Sequence, residues 1–342
     1  MLNKKSFSFS ICVPVYKSSH LIGTMLRSIL EQENFDNFEI IIGDDNPPEL
    51  KEEIEKTKKV IASFGDSRIK YYKNEKNLGY AINLQNIVSR ASRDILFLMA
   101  QDDILAKDAL RKTHDAFLLD ENVGVVTRPY FWFEKDIKKP VRAVLPYDEN
   151  KTRVISILDG KKEFMKIFES VGQLSGLAYR REFLEVTFND ECFPAHIYPF
   201  AGILRKHKCV FLKDYTVAIG IMDSQTRSVS SIYDLSPTES WLKMYRTVFT
   251  GKEYEKQRKW GEEHILTNFM GLVQLKNYAK SGVLLKEIKI LLRERRKNML
   301  DLKFWFFVLG TVLTPRFILI PLVDWYKSNV IASKLVCTRF NN

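Results

Sequence analysis

At 342 residues the chain can hold one large domain with an appendage or two domains, and its 45% hydrophobic content is enough for a substantial core. Ordinary glycine and proline content without low-complexity tracts excludes a disordered chain. The formal net charge of +11 admits an anionic ligand, an anionic membrane surface or nucleic acid as a partner.

In chain order, residues 9–15 form an apolar, β-branched run that predicts a buried strand. Leu21, Ile22, Met25, Leu26, Ile29 and Leu30 then recur at helical spacing. Residues 38–42 predict a second buried strand, 49–64 a helix, 69–72 a short strand and 80–91 an amphipathic helix. A strand over 95–99, a helix over 106–119 and a strand over 123–127 follow. Pro129, Pro140 and Pro146 weaken the pattern over 129–152. A helix over 160–171 and short strands over 209–212 and 216–219 come next, and beyond Pro237 the pattern is helical. Alternating helices and doubly apolar strands predict an α/β fold, a Rossmann-like, mainly parallel sheet with helices on both faces.

The four cysteines, Cys12, Cys192, Cys209 and Cys337, lack C-x-x-C spacing and have no histidine at metal-ligand spacing. Buried thiols in a reducing compartment are the expectation. The stretch before Phe9 is too polar for a signal peptide, which points to a cytoplasmic chain.

Two acidic pairs, Asp44–Asp45 and Asp102–Asp103, each follow an apolar strand directly. Read singly, the first is a turn before Pro47–Pro48 and the second caps the next helix. Read together, they face one crevice beyond the carboxyl ends of two strands, where open α/β sheets bind ligands. Like charges held close need a cation or donors to neutralise them. A divalent metal, Mg2+ or Mn2+, bridging to phosphate oxygens is the natural partner. Neither G-x-G-x-x-G after a strand nor G-x-x-x-x-G-K-[ST] is present, which argues against dinucleotide oxidoreductases and P-loop enzymes.

Four ordered motifs carry a resemblance. They are Ile11-Cys12-Val13-Pro14-Val15-Tyr16-Lys17, continued by Leu26-Arg27-Ser28-Ile29-Leu30-Glu31-Gln32; Glu39-Ile40-Ile41-Ile42-Gly43-Asp44-Asp45-Asn46; Asn77-Leu78-Gly79-Tyr80-Ala81; and Asp94-Ile95-Leu96-Phe97-Leu98-Met99-Ala100-Gln101-Asp102-Asp103. Together they resemble glycosyltransferase family 2, the inverting enzymes of GT-A fold that use nucleotide-sugar donors. The resemblance implies that Pro14, Val15 and Tyr16 line the base pocket and that Asp45, with Asp44 beside it, accepts a hydrogen bond from the base. It places Asn77 and Gly79 near the nucleotide or sugar, Asp102 at the ribose or metal, and Asp103 at the metal and diphosphate. It further implies a nucleotide-sugar-binding part over 1–128 and an acceptor-side part over 129–235, while the residue pattern predicts a helical C-terminal region over 236–342 with a basic and apolar membrane-associating segment.

Two positions depart from the family pattern. Ala100 stands where many members have an acid. The region expected to carry the general base, residues 196–205, has no carboxylate, leaving His196, Asp190 and Glu191 as candidates. Residues 173–181 resemble the acceptor-side segment, and Arg180 and Arg181 are expected at a diphosphate. By resemblance the donor is a UDP-sugar first, with GDP or dTDP as alternatives. The acceptor is a glycan or lipid-linked glycan of bacterial surface polysaccharide assembly.

Between residues 286 and 297, Lys286, Lys289, Arg293, Arg295, Arg296 and Lys297 face only Glu287 and Glu294. The apolar stretches 304–314 and 317–323 follow, split by Pro315–Arg316 and each too short to span a bilayer. An interfacial or re-entrant helix hairpin on an anionic inner leaflet is the expectation, with a buried core or dimer helix as the alternative. The chain is thus expected at the inner membrane surface. Competing classes are a nucleotide-binding pseudo-enzyme and a basic nucleic-acid-binding protein. No recognised RNA-binding motif interleaves aromatics with the basic run, so nucleic acid is not the expected partner.

Overall fold

The structure, a computed structural model, describes residues 6–188, 194–221, 235–280 and 282–331. The chain divides into two compact units: Met1–Asp190 with Ala195–Gly220 and Cys337–Asn342, and Glu191–Pro194 with Ile221–Val336.

In the first unit the elements run β1 (Phe9–Val15), α1 (Ile22–Leu30), β2 (Phe38–Asp44), α2 (Lys51–Ser63), β3 (Ile69–Lys73), α3 (Tyr80–Ser89) and β4 (Ile95–Leu98). They continue through β5 (Ile104–Leu105), α4 (Ala109–Phe117), β6 (Val123–Thr127), β7 (Tyr130–Phe133), β8 (Arg142–Val144) and β9 (Arg153–Ile155). The last are α5 (Lys161–Ser170), β10 (Ala178–Arg180), α6 (Ile197–Leu204), β11 (Lys208–Phe211) and β12 (Val217–Gly220).

The large sheet has the order β3-β2-β1-β4-β10-β6-β11-β9. Its first four strands are parallel: β1, β2 and β4 have nearly every side chain buried, as central parallel strands require, and β3 is the half-buried edge. On α1, Ile22, Met25, Leu26 and Ile29 form the buried stripe. The α/β architecture with a parallel core is the expected one. The sequence reading did not include β10, which enters the sheet antiparallel to both β4 and β6. The proline-broken stretch after Thr127 is also more regular than its sequence pattern: β7 and β8 pair there in a second sheet of order β5-β12-β7-β8.

The second unit holds α7 (Pro237–Val248), α8 (Glu255–Thr267), α9 (Met270–Tyr278), α10 (Val283–Glu294), α11 (Leu302–Leu313) and α12 (Arg316–Tyr326). The start of α7 is capped by Ser236, whose Oγ accepts the Glu239 N–H at 3.0 Å, with Pro237 in the first turn. Leu242, Leu266, Phe269, Leu272, Ile288, Leu291, Phe304 and Val308 form its core. Among the described residues no helix is long and apolar enough to cross a membrane.

Candidate active site

The order β3-β2-β1-β4 reverses direction between β1 and β4, the switch point at which doubly wound sheets open a crevice beyond their carboxyl ends. Two residues clasp this point. The Tyr16 N–H donates to Gln101 Oε1 at 2.7 Å, and Gln101 Nε2 donates to the Tyr16 carbonyl at 3.0 Å. On the other side the Asp45 N–H donates to the Val15 carbonyl at 2.8 Å. The ends of β2, β1 and β4, and with them both acidic pairs, therefore share one edge.

Asp44 and Asp45 are buried and accept several hydrogen bonds each. Asp44 accepts the Tyr71 hydroxyl at 2.6 Å and the Asn46 N–H at 2.8 Å. Asp45 Oδ1 accepts from Asn74 Nδ2 at 2.9 Å and the Leu78 N–H at 2.8 Å, and Oδ2 accepts the Gly79 N–H at 2.9 Å. A carboxylate has about four acceptor sites, so one lone pair on Oδ2 remains for a ligand. Asp45 thereby fixes the Asn77-Leu78-Gly79 turn that starts α3. Gly79 sits at φ +80°, a conformation that glycine adopts without penalty, and its own surroundings are open. Asn77 Oδ1 also accepts the Gly79 N–H, at 3.0 Å.

At the end of β4, Asp102 is half-buried and Asp103 is buried. Asp103 Oδ2 accepts the Ser175 hydroxyl, and Oδ1 accepts the Gly220 N–H at 3.0 Å. Gly220 is obligatory, because a Cβ there would lie 2.4 Å from the Asp102 carbonyl oxygen. Burial, reinforced by the neighbouring Asp102 charge, pushes the Asp103 carboxyl well above the usual carboxylate range. Arg128, fully buried just past the end of β6, supplies opposing positive charge. Its guanidinium donates to the carbonyls of Ser175 (2.7 Å), Ser170 (3.0 Å) and Gln173 (2.8 Å) and lies 4.7 Å from the Tyr130 ring centroid. Among the described residues no group of three or more His, Cys, Asp or Glu converges. Asp102 and Asp103 are thus the acidic pair that the β4 end contributes to this edge.

Pro14 and Tyr16 are half-buried on one face of the β1 end, whereas Val15 alternates to the other face and is buried. Val15 thus meets this edge through its carbonyl, not its side chain.

His196 is buried, with both ring nitrogens engaged: Nδ1 with the Tyr80 hydroxyl and Nε2 with the Val171 carbonyl, each at 2.9 Å. A carbonyl only accepts, so Nε2 carries the proton and Nδ1 takes the Tyr80 hydrogen. Burial pulls this imidazole down from 6.5 to about 4, so it is neutral at pH 7 and has no nitrogen open to an acceptor hydroxyl. Asp190 and Glu191 lie outside the described residues.

Arg180 and Arg181 are not at a diphosphate. Arg180 pairs with Ile95, the first residue of β4, and is buried between the Phe7 and Phe183 rings with its guanidinium on the Glu121 carbonyl. Arg181 donates to the Ala91 and Ser92 carbonyls. After the turn at Ser175–Gly176, β10 runs antiparallel to β4, from Ala178 opposite Phe97 to Arg180 opposite Ile95, and so carries both arginines toward the edge where β4 begins.

Gln101, Asn74, Ser175 and Arg128 were not singled out from sequence. Gln101 lies within the last quoted motif, and Arg128 follows an apolar strand just as the acidic pairs do, a position that could have drawn attention to it.

The family model described as Glycosyl transferase family 2 matches residues 10–186, just over half of the chain. Abequosyltransferase RfbV of Salmonella typhimurium is 34% identical over 102 residues, 30% of this chain and 30% of that protein. Minor teichoic acid biosynthesis protein GgaA of Bacillus subtilis is 29% identical over 182 residues, 52% of this chain and 38% of that protein. The matches thus span about a third of the curated relatives' length. The crystal structure of S. aureus TarS 1-349 in complex with UDP shares the fold, with a TM-score of 0.60 at 15% identity, covering 96% of this chain and 91% of that one. A parallel core with a switch point, two acidic pairs on its edge and a family match over the residues that build both have one reading: the chain belongs to glycosyltransferase family 2.

Proposed function

We propose that this chain is a metal-dependent inverting glycosyltransferase. It moves a sugar from a nucleotide-sugar, a UDP-sugar first, to a glycan or lipid-linked acceptor in surface polysaccharide synthesis, on the inner face of the cell membrane. The observation that carries this reading is the placement of both acidic pairs on one sheet edge, either side of the Tyr16–Gln101 clasp. Teichoic acid and abequose in the relatives' names, and UDP in the TarS complex, support the substrate class.

Pro14 and Tyr16 offer a surface for the base, with the spare Asp45 lone pair as its polar contact. Asn77 and Gly79, held by Asp45, border the nucleotide. Asp102 and Asp103 would hold Mg2+ or Mn2+, with diphosphate oxygens and water completing the shell, since such ions take one or two carboxylates plus phosphates. The ion supplies charge neutralisation to the departing diphosphate. The acceptor hydroxyl attacks the anomeric carbon from the opposite face, the carbon–phosphate-oxygen bond breaks, and the configuration inverts. His196 acts as a neutral strut between Tyr80 and Val171, and the acceptor's proton goes to another group.

A panel of nucleotide-sugars, read by diphosphate release and acceptor mass gain with Mg2+ or Mn2+, tests this. Turnover that Asp103→Ala reduces at least a hundredfold is expected. Equal turnover by both proteins would overturn the metal assignment, and nucleotide binding without any turnover would favour the pseudo-enzyme.

A further inference from the structure

Helix α11 is apolar on both sides. Phe304, Val308 and Thr311 point into the second unit's core. Leu302, Phe306, Leu309 and Leu313, at i, i+4, i+7 and i+11, form the opposite stripe and are 87%, 74%, 51% and 72% exposed. After the Thr314–Pro315 turn, Phe317, Ile318, Leu322 and Trp325 of α12 are exposed as well. This much apolar surface, on the order of several hundred Å2, marks an interaction site on a soluble chain. The stripe is not a product of poor folding, since α11 is capped by Asp301, which accepts the Lys303 and Phe304 N–H groups. The start of α12 is tied to α9 by Arg316, which donates to the Lys276 and Ala279 carbonyls.

We propose that the exposed faces of α11 and α12 form a monotopic docking surface for an anionic bilayer. Charge selects the occupant. Exposed Arg296 and Lys297 directly precede exposed Met299, Leu300 and Leu302, and Lys286 and Lys289 lie exposed on α10. A second copy of the chain would bring two such basic patches together, whereas anionic headgroups complement them. Helices of 12 and 11 residues are too short to span a bilayer, yet they suit one lying at the headgroup boundary, sunk by about 5–10 Å. Trp305 and Trp325 have the amphipathic rings that favour that depth. The inference deepens the proposed reading and rests on it for its membrane-linked acceptor.

Flotation of the full chain with phosphatidylcholine vesicles, with and without phosphatidylglycerol, tests it. Binding at least tenfold stronger to the anionic vesicles is expected. The paired variant F306S/L313S should lose it with an unchanged melting temperature, because both side chains face outward. The paired variant R296Q/K297Q should weaken it by about 30-fold, the loss expected for two headgroup contacts. Equal binding by wild type and F306S/L313S, or none by either, would overturn the proposal. So would a vesicle-free dimer that F306S/L313S makes monomeric. Donor turnover measured without vesicles on the same preparations separates the two readings. Turnover without flotation removes only the docking surface, and flotation without turnover removes only the transferase.

Discussion

Asp103 and Arg128 are joined through Ser175, whose hydroxyl donates to Asp103 Oδ2 and whose carbonyl accepts from Arg128 Nε at 2.7 Å. The β4 end, the β6 end and the loop before β10 therefore form one electrostatic unit. Without a cation, Asp103 is the strained member, because burial and Asp102 both oppose its ionisation.

A raised carboxyl has a definite linkage sign. Between the ordinary carboxylate pKa and the raised folded one, the folded chain holds a proton that the unfolded chain has lost, so stability falls as pH rises through that window. Asp103→Asn removes this penalty. It should raise the apoprotein's melting temperature at pH 7.5 by about 2–4 °C, the effect of about 1 kcal/mol in a chain of this size, while abolishing transfer. Mn2+ with UDP should then raise the wild-type melting temperature and leave Asp103→Asn unmoved. Thermal scans at pH 5.5 and 7.5 check both halves.

Arg128 supports the same site from behind. Arg128→Met strips two buried carbonyls and one half-buried carbonyl of their donor and should cost about 3–5 kcal/mol in urea unfolding. Burial already draws this guanidinium down from 12.5 to about 10, so it stays charged at pH 7. Arg128→Lys keeps the charge but not the three-way geometry. It should fold, with kcat reduced tenfold or more and donor KM changed less. An unchanged kcat would make Arg128 a core residue without influence on Asp103.

The buried strands of the large sheet were legible because β1, β2, β4 and β6 are apolar runs whose burial is almost complete. The acidic pairs were legible because each terminates such a run. What escaped depends on tertiary pairing. A three-residue strand such as Ala178–Arg180 has no periodicity of its own, so Arg180 and Arg181 were placed at the wrong edge. Buried polar groups hide in the same way. Glu39 sits inside the β2 run, where Ser10, Lys70 and Ser92 hold it, and only the fold separates such an acid from a ligand site. Val15 was grouped with its neighbours although strand alternation turns it inward.

In the proposed reading Asp45 acts on the donor through the turn that it holds. Asp45→Ala leaves the Leu78 N–H without its acceptor, the Gly79 N–H with Asn77 Oδ1 alone and the Asn74 amide with Asn83 Oδ1 alone. Nucleotide affinity by calorimetry should fall at least tenfold, with a stability loss of about 2–4 kcal/mol from the unpaired donors. Gly79→Ala forces a side chain into φ +80° without filling occupied space, so it should reproduce part of the affinity loss with a smaller stability loss. If Gly79→Ala left affinity intact, the turn would be a helix start and nothing more.

His196 has the sharpest pH signature. Its folded pKa, about 4, lies below the ordinary 6.5, so between those values the unfolded chain binds a proton that the folded chain refuses. The stability from its neutral burial is therefore fully present above about pH 6.5 and is lost as pH falls toward 4, by up to about 3 kcal/mol. His196→Gln cannot titrate, so its unfolding free energy should be flatter across that interval even if it is lower at pH 7.5. A strut and a base then diverge in kinetics. General bases contribute about 10²–10⁴-fold. If His196 only links Tyr80 to Val171, the folded His196→Gln protein keeps more than a tenth of the wild-type kcat at pH 7.5, and the acid limb of the pH–rate profile stays where it was. A thousandfold fall in kcat with an unchanged melting temperature, or an acid limb that vanishes in the variant, would return the proton-accepting role to this histidine.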